Sequence, residues 1–327
     1  MKPSGTRARA KRPDSKTAAA RSGVKAALSP TPGERAEVAG VRLTSPGRVY
    51  FPEVGVTKSE LAQYWETMAE RALPGLVNRP LTVVRCPEGH TGECFFQKHA
   101  TDSVPDTVGR LVVRRGQPPY MLVQGLAGVV SLVQIGALEM HVWGARSDEL
   151  ERPDLFVLDL DPDPSVSWRA LADTAQGLRA LLVELGFVPF LRTTGGKGLH
   201  VVVPLVRRST WDDVKGFTHA IALRLVREAP DRFTAQISKQ KRKGRILIDY
   251  LRNQRDATAI ASYSSRSRPG APVAMPIAWE ELEDAKRLPQ WDVRTARERL
   301  TLPDPWRDFE SSRRTLTAKA RARVEES

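Results

Sequence analysis

The sequence predicts an α+β fold, built as one folded unit over residues 39–310. Amphipathic helical segments and short apolar strands are interspersed along this range, and no strong linker divides it. Within it, one apolar strand carries two carboxylates, Asp159 and Asp161, although neighbouring like charges destabilise a plain strand. The chain has 327 residues, 41% of them hydrophobic, so it can bury the core that such a unit needs.

The charge balance favours a polyanionic partner. The chain has 51 Lys and Arg against 38 Asp and Glu, a net charge of +13 at pH 7. Basic side chains that bind phosphates release counterions, so this excess suits DNA or RNA, although charge alone also suits an anionic membrane. No apolar run approaches the roughly 18 residues of a membrane span, and no signal peptide is evident. With two cysteines, a reducing cytoplasm is the expected compartment.

The two ends of the chain differ in composition from this unit. Residues 1–38 contain nine basic and three acidic side chains and almost no large apolar ones. Such a stretch cannot bury enough apolar surface to fold, which predicts a disordered basic arm. The arm would either tether the protein loosely to DNA or act as a solubilising tail. Residues 311–327 are expected to form a basic C-terminal tail with a fraying helix.

The predicted elements begin with a short strand over residues 38–43. Thr57 is expected to cap a helix, TKSELAQYWETMAERAL, whose apolar residues recur at helical spacing. LTVVRCP predicts a strand, and the stretch from Tyr120 to Trp143 is interpreted as β-rich apolar segments. SWRALADTAQGLRALLVELG predicts a helix that ends at Gly186. Further elements are the strands FVPFLRTT and LHVVVPL, a helix from Trp211 to about Ala229, the strand RILIDYL and a helix start at MPIAWEEL.

The paired acids need a third carboxylate to hold two cations. Side chains at i and i+2 of a strand point to one face, so Asp159 and Asp161 could share a hard divalent cation. Asp249, which also emerges from an apolar strand, is the best candidate for the third ligand. Three carboxylates around two metal ions about 3.5–4 Å apart suit an in-line phosphoryl displacement. The competing interpretation of Asp249 is a strand-end salt bridge with Arg245 or Arg252.

Between the two acid sites lies the segment TTGGKGLH, residues 193–200. Its glycines would let backbone N–H groups approach a phosphate, Lys197 adds positive charge, and His200 could donate a hydrogen bond to a phosphate oxygen. It is not a Walker loop, because G-x-x-x-x-G-K-[ST] is absent and no helix follows directly. By itself a plain β-turn is the commoner source of such a sequence.

The order of these motifs separates two families of nucleotidyltransferase. Polymerase-beta-type enzymes place a Gly-Ser element before their Asp-x-Asp pair, whereas here the pair precedes both the glycine turn and the single Asp. This order resembles the archaeo-eukaryotic primase superfamily. Within it, the chain resembles the polymerase domain of bacterial ligase D from about Val41 to Phe309, in the segments LTSPGRVYFPEVGVTKSEL, RPLTVVRCPEGHTGECFFQKH, GALEMHVWGARSDELERPD, FVLDLDPDP, TTGGKGLHVVVPL and RKGRILIDYLRN.

The resemblance implies a primase-polymerase fold with a mixed, mostly antiparallel catalytic sheet flanked by helices. It implies a DNA-templated nucleotidyltransferase that extends DNA ends and fills gaps from NTP or dNTP, with a preference for ribonucleotides and with two Mn²⁺ or Mg²⁺ ions as cofactors. The expected setting is double-strand break repair by non-homologous end joining at the bacterial nucleoid. The expected partners are DNA ends, gapped DNA with a 5′-phosphate, Ku and a separate ATP-dependent DNA ligase, because the multidomain enzyme's ligase and phosphoesterase domains have no room here.

The resemblance also assigns roles to individual residues. Asp159, Asp161 and Asp249 match the catalytic metal ligands. The residues that match the nucleotide site are His141, Thr194, His200, Arg252 and Arg266, and Lys197 is added to them for its charge in the glycine turn. Those that match a 5′-phosphate site are Ser45, Arg48 and Lys58, and those near the template base are Phe95 and Phe96. The plainer alternatives are a buried core histidine for His141, ordinary loop polar residues for the 5′-phosphate set, and core packing for one phenylalanine.

A second group of residues has a spacing that resembles a metal site. Cys86, His90, Cys94 and His99 form the pattern C-x₃-H-x₃-C-x₄-H, which could pass for a compact zinc site. The spacing fits no standard zinc finger, and relatives in the resembled family use this stretch as a template-side loop. We therefore expect no zinc there.

Three other functions are compatible with the motifs. The same chemistry would serve a primer-synthesising primase or a gap-filling repair polymerase outside end joining. A non-catalytic DNA-end-binding partner of Ku would have no need of all three acids. A two-metal nuclease would shorten DNA strands rather than lengthen them.

Overall fold

A computed structural model describes residues 36–284 and 287–325, and it confirms the predicted α+β class. The α-helices are α1 (Lys58–Ala72), α2 (Leu126–Gln134), α3 (Trp168–Glu184), α4 (Trp211–Glu228), α5 (Glu281–Asp284) and α6 (Ala318–Glu325). The β-strands are β1 (Ala36–Val38), β2 (Val41–Leu43), β3 (Val49–Phe51), β4 (Val56–Thr57), β5 (Pro80–Arg85), β6 (Phe95–Gln97), β7 (Gly109–Leu111), β8 (Tyr120–Leu122), β9 (Ala137–Val142), β10 (Leu155–Pro162), β11 (Phe190–Thr193), β12 (Leu199–Pro204), β13 (Phe233–Thr234), β14 (Ile246–Asp249), β15 (Ala259–Ile260) and β16 (Pro276–Ile277).

Two larger sheets form the body of the protein. The first, here called the carboxylate sheet, has the strand order β13-β14-β10-β12-β11-β16. Its pairs are antiparallel except for β13 and β14, which are parallel. The second sheet has the order β15-β9-β5-β8-β7, and β6 also pairs with β5. The carboxylate sheet is therefore mixed and mostly antiparallel, as expected.

The two faces of β10 have different surroundings. Phe156, Leu158 and Leu160 are buried, and the ring of Phe156 packs edge-on against Phe187 and Phe217, beneath α3 and α4. Because side chains alternate along a strand, the acids at positions 159 and 161 lie on the opposite face. The helices thus cover the back of the sheet and leave its acidic face turned towards the second sheet.

Local sequence signals locate the ends of α1 and α3. Thr57 Oγ1 accepts a hydrogen bond from Glu60 N at 3.2 Å, while Glu60 Oε2 accepts one from Thr57 N at 2.8 Å, which completes a capping box. After α3, Gly186 has a φ of +88°, and Phe187 N donates to Leu182 O at 2.9 Å. This closing turn needs a left-handed residue, which glycine adopts without steric cost. Both predicted helix ends are confirmed.

One helix contradicts the sequence interpretation. Residues 126–134 form α2 inside the stretch that was interpreted as β-rich. Its buried residues include Val129, Val130, Leu132 and Val133, which occupy several sides of the helix where it packs against α1 and β9. A short helix buried on several sides has no clear amphipathic period, so its sequence cannot be distinguished from that of a buried strand.

The ends of the described chain are packed elements. β1 includes the last residues of the expected basic arm and pairs with β2, whereas residues 1–35 lie outside the described residues. In α6, Ala320 and Val324 are buried, and Arg321 Nη1 donates to Asp213 Oδ1 of α4 at 2.6 Å. Residues 318–325 of the expected basic tail therefore form a helix that packs against α4.

Candidate active site

The three predicted acids lie on one face of the carboxylate sheet. Asp159 on β10 pairs in register with Asp249 of β14 on one side and with His200 of β12 on the other. Arg192 of β11 pairs in turn with His200. Directly opposed residues of antiparallel strands project to the same face, so these four side chains form a row across four strands. Asp161 lies two residues further along β10 on that face.

Arg252 connects the two acids that face each other across the strands. Its Nη2 is 3.1 Å from Asp249 Oδ2, and its Nε is 3.6 Å from Asp159 Oδ2. The salt bridge that competed with a metal role for Asp249 is therefore present, with Arg252 and not Arg245. Because the same guanidinium also reaches Asp159, it lowers the repulsion between the two carboxylates.

Asp161 is held by two other basic residues. Arg242 Nη1, from the basic stretch before β14, donates to Asp161 Oδ2 at 2.9 Å. Lys197 Nζ lies 3.4 Å from Asp161 Oδ1 and also donates to the backbone carbonyl of Pro162. The carboxylate is only partly buried, so these contacts hold its direction more than they stabilise the fold.

Burial and hydrogen bonds set the protonation of the row. Burial lowers the pKa of His200 to about 4, so its imidazole is neutral at pH 7. Arg192 Nη2 donates to His200 Nδ1 at 2.9 Å, which places the proton of the neutral ring on Nε2, 3.3 Å from Asp159 Oδ2. Burial opposes ionisation of Asp159, but His200 and Arg252 bring its pKa below the ordinary value. Burial raises the pKa of Asp249 above the ordinary value despite Arg252.

The donor set fits a hard divalent cation. Three carboxylates on one sheet face provide the oxygen ligands that Mg²⁺ and Mn²⁺ prefer. In the described part of the chain, no three His, Cys, Asp or Glu side chains already converge closely enough to coordinate one ion. Instead, Arg252, Arg242 and Lys197 contact the carboxylate oxygens that a cation would take.

A cavity of about 200 Å³ opens beside the row, between the two sheets. All six residues that were expected to bind the nucleotide line it, together with two of the acids and one further arginine: His141, Thr194, Lys197, His200, Arg252, Arg266, Asp159, Asp161 and Arg268. Residues that are up to 127 positions apart in sequence therefore meet in one basic cavity. Asp249 lies next to this cavity through its register with Asp159.

The glycine turn closes the cavity by close backbone packing. Thr194 N donates to Gly198 O at 3.1 Å, so the segment is a turn between β11 and β12. A Cβ on Gly198 would stand 2.7 Å from Leu160 O of β10, and Gly195 has a φ of +65°. The turn is therefore pressed against the strand that carries the acids, which only glycine permits at these positions.

The second sheet supplies His141 and a buried carboxylate. Glu139 and His141 lie two residues apart on β9, and His141 Nε2 is 2.8 Å from Glu139 Oε2. Arg266 Nε is 3.0 Å from the same oxygen, and Arg266 Nη1 donates to Thr194 O of the glycine turn. His141 is thus neither a free ligand nor an apolar core histidine, because a buried acid holds it at the cavity wall.

The expected 5′-phosphate residues are neighbours in space. Arg48 N donates to Ser45 O at 3.0 Å, and Lys58 N donates to Arg48 O at 2.8 Å. The Lys58 ammonium is buried against the carbonyls of Thr44 and Gln134, and burial lowers its pKa to about 8. Arg48 is paired with Glu88 at 2.7 Å. The set is assembled, and both of its charged side chains already have partners.

Both expected template aromatics are exposed. Phe95 is 42% and Phe96 is 74% exposed, so the expectation that one of them packs in the core is wrong. Their strand, β6, pairs only with β5 among the described strands. Adjacent residues of a strand point to opposite faces, so both faces of the sheet are open at this strand. Phe96 meets His141 edge-on with 6.1 Å between ring centroids. An exposed ring beside His141, which lines the cavity, is available to stack on a base.

The cysteine and histidine motif does not converge on one point. Cys86 and Cys94 form a disulfide between the end of β5 and the residue before β6. His90 Nε2 is 2.7 Å from Glu53 Oε2, and the ring of His99 packs edge-on against Tyr120. The thiols that the sequence interpretation left reduced are therefore bonded to each other.

Sequence reasoning missed four residues of the site: Glu139, Arg192, Arg242 and Arg268. Arg268 follows Arg266 by two residues in SRSRPG, so that spacing was a usable signal. Arg192 occupies an apolar strand, where a charged residue at one end is itself unusual. Nothing in the local sequence connects Arg242 or Glu139 with the acids.

No helix within residues 36–284 and 287–325 is long and apolar enough to cross a membrane.

Three carboxylates on a mostly antiparallel sheet, facing a basic cavity closed by a glycine turn, define a nucleotidyltransferase of the primase-polymerase class. Residues 57–306 match the model of the LigD primase-polymerase domain, and the chain belongs to that family. Enzymes of this family are DNA polymerases.

Curated relatives and a solved structure agree with this assignment. The chain is 42% identical over 295 residues to the multifunctional non-homologous end joining protein LigD of Pseudomonas aeruginosa. The matched region covers 89% of this chain and 35% of that protein. It is 34% identical over 254 residues to the LigD protein of Mycobacterium tuberculosis strain H37Rv, covering 75% and 34%. The chain thus spans about a third of these relatives. The polymerase domain of M. tuberculosis ligase D in complex with DNA matches with a TM-score of 0.78 and 30% identity, over 84% of this chain and 99% of that one.

Proposed function

We propose that this chain is a DNA-templated polymerase that extends and fills DNA ends in non-homologous end joining. The observation that carries the proposal is the single cavity lined by Asp159, Asp161 and all six expected nucleotide contacts. The relatives are named as end-joining proteins, and the similar solved structure is a polymerase domain bound to DNA. In the reaction, the primer 3′-hydroxyl attacks the α-phosphorus of a nucleotide, and the bond to the leaving pyrophosphate breaks.

The basic side of the cavity would bind the triphosphate. Lys197, Arg266 and Arg268 provide positive charge around the glycine turn. Thr194 adds a hydroxyl, although in the free site this hydroxyl is 3.2 Å from Gly198 O. Guanidinium groups can take phosphate oxygens with two donors each, so the arginines would fix the direction of the triphosphate as well as neutralise it.

Asp159, Asp161 and Asp249 would hold two Mn²⁺ or Mg²⁺ ions. When bound, such ions neutralise charge on the phosphates and lower the pKa of the attacking hydroxyl. Arg252, Arg242 and Lys197 hold the same carboxylates in the free protein, and they would turn to the anionic substrate when the acids change partners. His200, oriented by Arg192, keeps one oxygen of Asp159 in a constant direction throughout.

Other surfaces of the chain would bind DNA. Phe95 and Phe96 would stack near the templating base, since stacking on exposed aromatics contributes without base specificity. Ser45, Arg48 and Lys58 would bind a downstream 5′-phosphate, with Arg48 exchanging Glu88 for the phosphate. Preference for ribonucleotides, location at the bacterial nucleoid and partnership with Ku and a separate ATP-dependent ligase belong to the same proposal, through the resemblance to ligase D.

Primer extension on gapped DNA tests the proposal. The gap carries a 5′-phosphate or a 5′-hydroxyl, each with NTP or dNTP and with Mn²⁺ or Mg²⁺. We expect templated extension that is faster with the 5′-phosphate and with NTP, and that is lost in Asp159→Ala while DNA binding persists. Extension by Asp159→Ala at the wild-type rate would refute the assignment. Shortened strands without nucleotide would indicate a nuclease, and dinucleotide synthesis on a single strand would indicate a primase.

A further inference from the structure

Glu139 is the one acidic residue in the described strands of the second sheet. It is 4% exposed, and both of its carboxylate oxygens are occupied. Oε1 accepts hydrogen bonds from Ser267 N and Ser267 Oγ, each at 2.8 Å. Oε2 is 2.8 Å from His141 Nε2 and 3.0 Å from Arg266 Nε. Glu139 therefore contacts both His141, which lies two residues away on β9, and the loop that contains Arg266 and Ser267.

The contacts fix the orientation of His141. Burial opposes the charge of Glu139, but the hydrogen bond from His141 and the charge of Arg266 bring its pKa to about 2, so the carboxylate is ionised. An ionised carboxylate can only accept hydrogen bonds, so His141 Nε2 must carry a proton and donate it. Burial lowers the pKa of His141, which favours the neutral ring. The remaining nitrogen, Nδ1, is then an acceptor whose direction is set by Glu139.

The Glu139 carboxylate also restricts the side chain of Arg266. Arg266 Nε forms an ion pair with Glu139 Oε2 that lacks hydrogen-bond geometry, and Nη1 donates a hydrogen bond to Thr194 O, so the guanidinium is held between the second sheet and the glycine turn. Arg266 N also donates to Pro272 O at 2.8 Å, which anchors its backbone. A long side chain that is held at two atoms loses little further freedom when it binds a ligand.

We propose that Glu139 is a positioning residue for nucleotide binding, because it holds His141 and Arg266 in their ligand-binding directions. The inference rests on the proposed function, since both of these residues are expected nucleotide contacts. Glu139 itself does not line the cavity. It connects the two side chains across the sheet edge, and its removal would leave both groups in place but differently oriented.

The test is nucleotide affinity in Glu139→Gln, because glutamine keeps the shape and removes the charge. We expect KM for the incoming nucleotide to rise about 10- to 100-fold, the effect of losing one charged hydrogen-bond partner, with little change in kcat or in DNA affinity. The matched control is Glu281→Gln. Glu281 accepts two hydrogen bonds from the buried Arg299 at 2.7 and 2.8 Å, away from the cavity, so its loss should lower Tm and leave KM unchanged.

A variant that lacks both His141 and Arg266 distinguishes a positioning role of Glu139 from a general loss of stability. In a His141→Ala, Arg266→Ala protein, Glu139→Gln should raise KM no further, because the groups through which it acts are gone. A further rise of the same size would overturn the inference, as would wild-type KM in the single variant. Should Glu139→Gln fail to fold, Ser267→Ala removes only the hydroxyl donor, and a KM rise of a few fold at unchanged Tm is expected, with an unchanged KM refuting the inference.

The outcome also distinguishes this inference from the proposed function. If the wild-type protein binds and incorporates no nucleotide, the proposed function fails. The orientation of His141 can then still be measured by nitrogen NMR of its imidazole. A proton on Nε2 in the wild type that moves or exchanges faster in Glu139→Gln supports the positioning role, and identical spectra contradict it.

Discussion

Asp159 and Asp249 face each other directly across the antiparallel strands β10 and β14. Two carboxylates opposed in this way repel each other, and burial further opposes the ionised form of Asp249, whose pKa is raised. Arg252 offsets part of this cost by lying within 3.6 Å of the one and 3.1 Å of the other. A pair that destabilises the free protein is what a cation-binding site requires.

Replacing Asp249 should therefore separate stability from activity. In Asp249→Asn, we expect extension to fall more than about 100-fold, since a lost metal ligand removes several kcal/mol of charge stabilisation. With a chelator present, Tm should stay the same or rise, because the opposed charge is gone. Primer extension and thermal unfolding check the two halves. Asp148→Asn, which removes an exposed partner of Arg207, is the control and should leave extension unchanged. Wild-type extension by Asp249→Asn would contradict the metal role.

The exposed ring of Phe96 should contribute to binding and not to folding. We expect Phe96→Ala to raise KM for the templated nucleotide about 5- to 100-fold, the loss of one base–aromatic stack, at unchanged Tm. Steady-state extension and thermal unfolding measure both. Val112→Ala is a matched control, because Val112 is also an exposed apolar residue, at 66%. A large loss of Tm with unchanged KM would show that Phe96 packs in the protein.

The depressed pKa of Glu139 predicts a contribution to stability at low pH. A carboxyl whose pKa is about 2 when folded is ionised more readily than in the unfolded chain, where the pKa is about 4.3. Its stabilising effect is complete above the unfolded value and is lost as pH falls towards 2. The free energy of unfolding in urea, followed from about pH 6 to about pH 3, should fall less steeply in Glu139→Gln than in the wild type. Parallel curves would contradict this assignment.

The bond between Cys86 and Cys94 closes the loop that leads into β6. Because closing so short a loop restricts the unfolded chain, reduction should lower the free energy of unfolding by about 2–3 kcal/mol. Urea unfolding with and without reductant measures the change, and Cys94→Ser should show no response to the reductant. A thiol titration gives an independent check. The chain has two cysteines, so two reactive thiols in denatured protein that has not been reduced would exclude the bond.

The sequence by itself determined the features that depend on neighbours along the chain. The i and i+2 spacing put Asp159 and Asp161 on one strand face, the capping box started α1, and Gly186 ended α3. The order of the acid and glycine motifs, with the longer matching segments, was sufficient for the family. Each of these features is local, or is read directly from the linear order, so no three-dimensional information is needed to recognise it.

The tertiary structure decided which distant residues meet. The register of β10 between β12 and β14 sets Asp159 opposite both Asp249 and His200, and that register arises from the packing of whole strands. The same packing recruits Arg242 and Glu139, whose local sequences carry no functional signal, and it covers the several apolar sides of α2. It also leaves both Phe95 and Phe96 exposed, because both faces of the sheet are open at β6. Long-range strand pairing depends on the fold as a whole, and local sequence cannot specify it.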